Sequence, residues 1–394
     1  MNSKNNMAEI KSYVPILRSR PAEMAALEKL ALTDRENVTP LIEFIMPAPT
    51  LDKKDRNVVK TPKEKFLETL PDIAEDLKKS CGQFPTFVDV HLLESDVRAS
   101  SFKQILDSSA HLDLFSIPVT YIIPVTSTNA DMETRSVAVD FAKSNGHGLC
   151  IRIDKSHFGE KDIASHIMSF VESNGLSISN TDLLVDLRVI DQDTSIEAVR
   201  DQLARLPNLS EWRSFIVSGG VFPKDLTGFA SGAVHELPRY DWKLWNDLRM
   251  TQLSRKPIFS DYTILHPFYE YVPAIGSASV RYTDEDKYWI FRGKKPGVIN
   301  RKTNVKGPGS EQYIDHARTL VKRSFYKGDG YSFGDSEISR IAADGNKKPG
   351  NPGKWLEIAI NHHLTLAARQ TASLVGNIAE RVARAASEVR VRAN

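Results

Sequence analysis

GLCIRIDKSHFGEKDIASHIMSFVESNGLSISNTDLLVDLR, residues 148–188, decides the fold. It opens on an apolar, β-branched run (GLCIRID, Gly148–Asp154), passes through helical spacing over Lys161–Ser173, and returns to a second such run (DLLVDLR, Asp182–Arg188). Two short apolar runs separated by a helix-length segment form a βα unit, because parallel neighbours need a crossover of that length. The alternation extends both ways. Upstream, Tyr13–Arg20 (YVPILRSR) leads into a helix opened by Pro21, whose missing N–H has no partner to lose in a first turn. Val38–Phe44 leads to a helix over Pro62–Ser80, where Phe66, Leu70, Ile73 and Leu77 recur at turn spacing. Thr86–His91 leads into a helix near Ser101–Ser109, and Ser116–Val125 into Asp131–Ser144. Downstream, the sixth strand leads into Ser195–Leu206, the seventh, Arg213–Gly219, into Asp241–Met250, and Pro257–Thr263 is the eighth. Eight evenly spaced units predict an α/β fold, a (β/α)8 TIM-like barrel. The rival is an open doubly wound sheet with a small C-terminal domain. The first βα turn carries no G-x-G-x-x-G fingerprint and the chain no P-loop, so dinucleotide and P-loop readings lose their usual support.

The rhythm breaks after strand eight. Ser279–Arg292 (SVRYTDEDKYWIFR) predicts two strands around an acidic turn. Residues 293–310 form a Gly/Pro/Lys-rich loop, Glu311–Ser324 a helix, 327–352 a second Gly-rich loop, and Trp355 opens a helix that closes the ring. The expected organisation is one barrel domain over 1–375, carrying a hairpin and lid insertion at 276–353, followed by a helical or frayed tail over 376–394.

Composition narrows the function classes. The 394 residues are 41% hydrophobic and 26% charged, ample for a large core. A net charge of +2 supplies no global basic field for nucleic acid. The two cysteines, Cys81 and Cys150, each adjoin a core element and suggest neither a disulfide framework nor a metal cluster. No apolar run reaches signal-peptide or membrane-span length, so a cytoplasmic location without a membrane partner is expected.

Strands buried on both faces should be apolar, so their charges need a reason. They gather at the C-terminal ends, where barrel enzymes keep their chemistry. Strand one gives Arg18 and Arg20, strand two Glu43, strand three Asp89 and His91. Strand five gives Arg152 and Asp154, strand six Asp186 and Arg188. Strand seven ends in Ser218, Gly219 and Gly220, strand eight in Asp261 and Tyr262. One reading is a polar cup: Arg18, Arg20, Arg152 and Arg188 would hold a phosphate or carboxylate in their guanidinium forks. The Gly219–Gly220 step would let backbone N–H groups approach it. Glu43, Asp89, Asp186, Asp261 and His91 are the candidate catalytic groups. The other reading is a set of Arg–carboxylate pairs that merely closes the top of the core. No metal motif is present; His362 and His363 point about 100° apart on a helix and do not share a metal easily. The hairpin sets Arg281, Tyr282, Tyr288, Trp289, Phe291 and Arg292 together, a mixture that can stack on bases, form a lid, or pack as an ordinary hairpin.

Several segments together resemble the Beta family of proteins, named after a bacteriophage T4 protein and found widely in bacteria and phages. They are YVPILRSRPAEMAAL (13–27), VTPLIEF (38–44), WRSFIVSGGVFPKDL (212–226), LPRYDWKLWNDL (237–248), PIFSDYTILHP (257–267), SASVRYTDEDKYWIFRGK (277–294), FGDSEISRIA (333–342) and WLEIAINHHLTL (355–366). The resemblance runs from about residue 12 to 375. It touches Arg18, Glu43, Ser218, Gly219, Asp261, Arg281, Tyr282, Trp355, His362 and His363. It carries over no established activity and no accepted catalytic residue. It implies an association with phages and with bacterial neighbourhoods that look like defence islands.

The expectation is a barrel that binds or senses a phosphate-containing ligand, a nucleotide or a nucleic-acid end, in phage–host conflict. Its ligand-binding set would be Arg18, Arg20, Arg152, Arg188, Ser218, Gly219, Tyr262, Arg281, Tyr282, His362 and His363. The alternatives are a metal-assisted phosphoesterase or nuclease, with Mg²⁺ or Mn²⁺ on the carboxylates, and a protein-interaction module for a phage or defence-system partner.

Overall fold

Eight parallel strands close into a ring in the computed structural model, which describes residues 9–52, 54, 57–110, 120–159, 162–271, 276–295, 307–343, 345 and 347–392, the last helix from 375 onward by its backbone. They are β1 (Tyr13–Arg18), β2 (Leu41–Glu43), β3 (Thr86–Asp89), β4 (Ile122–Thr126), β5 (Leu149–Asp154), β6 (Thr181–Val189), β7 (Ser214–Gly220) and β8 (Ile258–Asp261). Each pairs with its sequence neighbour, and β1 closes the ring on β8 at Tyr13↔Phe259. The protein is therefore a (β/α)8 TIM-like barrel.

Alternate residues of each strand go to opposite sides. Val14, Ile16, Leu41, Phe87, Ile123, Cys150, Leu184 and Ile216 fill the barrel interior. Their neighbours Leu17, Ile42, Val88, Ile151, Leu183 and Phe215 pack under the surrounding helices. Burial on both sides is why the strands read as unbroken apolar runs. The N-terminal end of the interior is closed by Asp182, which accepts from Ser214 Oγ (2.7 Å) and Arg213 Nε (3.0 Å). Side-chain caps begin several outer helices: Thr61 and Glu64 form a capping box on Pro62–Thr69, and Asp131 caps Met132–Asn145.

The expected hairpin is present as Val280–Thr283 and Lys287–Phe291, but it has a third strand, Val234–Pro238, from the segment after β7. That strand carries His235 and Glu236 and stops at Pro238, so its composition reads as loop. The sheet joins two cores. Tyr288 and Ile290 belong to the barrel's outer layer; Val280, Tyr282 and Phe291 pack with the helices Gln312–Leu320 and Phe333–Ala342 and with Trp355. One long helix, Pro352–Arg392, serves both bodies. Gly334 lets the Phe333–Ala342 helix approach it closely, since an added Cβ would lie 2.3 Å from the Ile358 carbonyl oxygen.

Strand boundaries move by a few residues from expectation. The ladder of β2 begins at Leu41, with Val38 only bridging Tyr13. The fourth strand lies over Ile122–Thr126, and the expected portion 116–119 falls outside the described residues, as do 296–306 of the Gly/Pro/Lys-rich loop. The tail is helical in its backbone through Arg392. Among the described residues no helix is long and apolar enough to cross a membrane.

Candidate functional site

Four strand ends finish in the same local device. The carboxylate of Asp89 accepts from the backbone N–H of His91 (2.9 Å), Asp154 from Ser156 (3.0 Å), Asp186 from Arg188 (2.9 Å) and Asp261 from Thr263 (3.0 Å). An aspartate that bonds the N–H two residues on turns the chain out of the strand. At β6 and β8 the residue that donates this N–H is left-handed, with φ of 57° at Arg188 and 56° at Thr263. Such a conformation costs a non-glycine residue on the order of 1 kcal/mol, and here the carboxylate holds it.

Inside the mouth these charges converge on Arg152. Its guanidinium donates to Asp89 Oδ2 (2.7 Å), Asp186 Oδ2 (2.7 Å) and the Tyr262 hydroxyl oxygen (2.7 Å), and lies 2.9 Å from Glu43 Oε1. Tyr262 donates in turn to Asp186 Oδ2 at 2.5 Å. Arg188 adds an ion pair to Asp186 (3.1 Å), and Arg18 lies 3.7 Å from Glu43. Burial alone would raise the Asp89 carboxyl, but His91 and Arg152 outweigh it and hold the group well below the usual carboxylate range. Burial likewise opposes ionisation of Asp186, and Arg152 and Arg188 reverse the balance downward. Desolvation works against the charge on Arg152, yet Tyr262 and the three acids push its pKa well above the ordinary value. The cluster is thus a buried lattice of three arginines and three carboxylates centred on Arg152.

Half of this mouth is covered. The loop after β8 crosses it, and Arg18 donates to the carbonyls of His266 (2.7 Å) and Pro267 (3.1 Å). Phe268 sits over Arg188 at 5.5 Å and Tyr269 over Arg18 at 5.5 Å. Beside β3–β6 a cleft of about 290 Å³ stays open, with Asp89, His91, Arg152 and Arg188 on its floor and Arg98, Ser127, Asp154 and His157 on its walls. His157 bonds Asp154 (3.1 Å), which holds that carboxyl far below its usual range. Arg98 is fixed by the Leu93 carbonyl and by Asp131.

The structure therefore brings together Arg18, Glu43, Asp89, His91, Arg152, Asp186, Arg188 and Tyr262. Ser218 faces the same interior, and its buried hydroxyl has no hydrogen bond among the described residues. The other expected site residues lie elsewhere. Asp261 points outward from the barrel, because Tyr262 beside it points in. It accepts from the Tyr13 hydroxyl (2.7 Å) and pairs with His363 Nε2 (2.8 Å) under the long helix. His362 bonds Asp335 (2.7 Å) and the Thr283 carbonyl (2.7 Å), and His363 reaches Thr283 Oγ1 (3.0 Å); both histidines are fully buried. Tyr282 donates to Asp335 (2.9 Å), and Arg281 to the Ile264 carbonyl (2.5 Å). These four tie the hairpin to the helix and barrel instead of forming a lid over the mouth. Trp289 is stacked on Phe325 at 4.2 Å, so the hairpin aromatics are spent on packing. Gly219 faces the outer layer, where a Cβ would meet Ile190, and Arg20 lines a separate cavity.

Reasoning from strands missed Arg98, Ser127 and His157, because Ser127 and His157 lie beyond strand ends in βα connections and Arg98 lies in the first turn of the helix Ser95–Ser109. The signal available was Asp154-x-x-His157, a pair one turn apart directly after a strand. Chemically, three of the carboxylates that would coordinate Mg²⁺ or Mn²⁺, Glu43, Asp89 and Asp186, are already engaged by guanidinium groups, so an ion there would have to displace Arg152, and the fourth, Asp261, faces away from them. Among the described residues no cluster of three or more His, Cys, Asp or Glu has metal-holding geometry.

Fold and mouth define a β/α barrel whose top layer is a buried Arg–carboxylate lattice beside a small polar cleft. The chain belongs to the Beta protein family, whose family model matches residues 13–369. No curated protein sequence matches. Among solved structures, the carveol dehydrogenase from Mycobacterium avium in complex with NAD is similar at 10% identity over 47% of this chain and 73% of that one, with a TM-score of 0.18. A likeness that loose carries no argument about fold or function.

Proposed function

We propose that this protein is a binding barrel whose mouth cleft takes a small phosphate-bearing ligand, a nucleotide or a nucleic-acid end. The observation that carries the reading is the make-up of the cleft: three arginines, Arg98, Arg152 and Arg188, and two histidines line it against two aspartates, Asp89 and Asp154. Its volume of about 290 Å³ suits a phosphate with a small attached group. Arg152 is the fixed floor, and Arg188, His91 and Arg98 are the groups that meet the ligand. Binding is favoured over metal-assisted hydrolysis because the carboxylates are engaged by arginines. With the family's association with phages and defence neighbourhoods, the reading extends to a cytoplasmic ligand sensor in phage–host conflict, signalling to a phage or defence-system protein.

Calorimetric titration with phosphate, nucleoside mono- and diphosphates and a 5′-phosphorylated oligonucleotide tests this. One of these should bind, and Arg188→Gln and Arg98→Gln should each weaken it about tenfold, the loss of one charge-assisted hydrogen bond. Silence across the whole panel, or affinity unmoved in both variants, would overturn the reading.

A further inference from the structure

Arg20 does not join the mouth; it heads a larger cavity beside it, of about 880 Å³, formed by the turn after β1, the segment after β2, the helices over 62–81 and the loop after β8. Its floor is apolar: Met24, Phe44, Met46, Phe66, Ile73 and Leu77. Two of these are methionines, whose flexible side chains adapt to ligand shape. At one side the Arg20 guanidinium lies over the Tyr269 ring at 4.9 Å, and its Nε is 3.7 Å from Glu23. Tyr269 is itself tied to the Met46 carbonyl through its hydroxyl (3.5 Å). The head of Arg20 is thus held in place, while its terminal nitrogens carry no hydrogen bond among the described residues. The other rim charges are partly cancelled: Lys79 pairs with Glu28 at 3.6 Å, and Glu270 with Lys224. Asp76 stays unpaired among the described residues.

From this cavity we infer a second binding site, for an amphipathic anion: an apolar chain or ring system on the methionine and phenylalanine floor, with a single carboxylate or phosphate head on Arg20. The volume falls within the range of small-molecule sites, and a planar fork with free N–H groups at the edge of an apolar hollow selects an anionic head. A cationic amphiphile is the competing occupant, through Asp76. The anion is favoured because Arg20 is positioned by a stacked ring and a buried carboxylate.

The test is equilibrium dialysis of the full chain with dodecanoate, dodecanol and dodecylammonium, each below its micellar concentration. Dodecanoate should bind saturably at one site, about tenfold tighter than dodecanol. Arg20→Gln should reduce it to the level of dodecanol, and Met46→Glu should abolish both. Arg188→Gln should leave all three ligands unchanged, which separates this site from the mouth. Unfolding temperature serves as the folding control, and Arg20 is partly exposed, so its variant should fold. Lack of saturable dodecanoate binding, preference for dodecylammonium, or undiminished binding by Arg20→Gln overturns the inference.

Discussion

Replacing Arg152 by methionine removes the one group shared by Glu43, Asp89 and Asp186, and leaves their negative charges buried inside the barrel. Breaking a buried ion pair from one side costs about 3–5 kcal/mol. Arg18 and Arg188 remain, so the lower half of that range applies, about 3–4 kcal/mol, or roughly 4–5 °C in Tm for a chain of this length. The pH dependence is more diagnostic than the loss. In the native protein Asp89 and Asp186 have depressed pKa values. Their contribution is present above the ordinary carboxylate range and fades as pH falls through the folded values. In the variant, burial without the cation raises these acids, so the folded state binds protons more tightly than the unfolded one. The variant should therefore gain stability relative to wild type as pH falls from 7 to 5, read by urea unfolding at each pH. Adding Glu43→Gln to Arg152→Met should restore part of the loss. A variant with wild-type stability and the same pH slope would refute the lattice.

Three further outcomes follow from the polar layer outside the barrel. Asp261→Ala strands the Tyr13 hydroxyl and His363, and should cost about 3 kcal/mol in chemical denaturation while leaving the proposed phosphate binding at the mouth unchanged. Asp241 is buried, which lifts its pKa to about 6 against the opposing pull of Arg239. Its folded value exceeds the unfolded one, so it favours folding below about pH 4, and that contribution, on the order of 2–3 kcal/mol, is lost as pH rises through 6. Asp241→Asn should flatten the stability profile between those limits. Gly334→Ala should force the Phe333–Ala342 helix off the long helix, at about 2–3 kcal/mol, visible as a lowered Tm.

The ring of strands was legible because parallel strands and crossover helices have different apolar periods. The mouth was partly legible: Asp89, Arg152, Asp186 and Arg188 sit as charges at apolar strand ends, and they do meet. The side on which Asp261 lies was not legible, for a physical reason. A strand covered on both faces shows no polar alternation, so PIFSDYT does not reveal whether Asp261 or Tyr262 points inward. His362 and His363 sit on a helix apolar on nearly every side, and their phase depends on a sheet whose third strand has no strand-like composition. Arg20 lies past the strand end, where period-two reasoning no longer applies. The recurrence of aspartate at strand ends has a local cause as well, since each one turns the backbone out of its strand.

The long C-terminal helix has a consequence for synthesis. It covers the opening βα unit: Ser12, just before β1, donates to Thr371 (3.2 Å), and Asn361 donates to the carbonyl of Ala26 in the helix after β1 (2.9 Å). The first strand of the barrel thus waits for residues made some 350 positions later before its outer surface is sheltered. Until then the nascent chain carries a ring whose eight strands are complete but whose outer layer is bare beside β1, the kind of species chaperones retain. Fragments stopped short of Pro352 should accumulate on such chaperones, and fragments reaching the end of this helix's buried portion should be released.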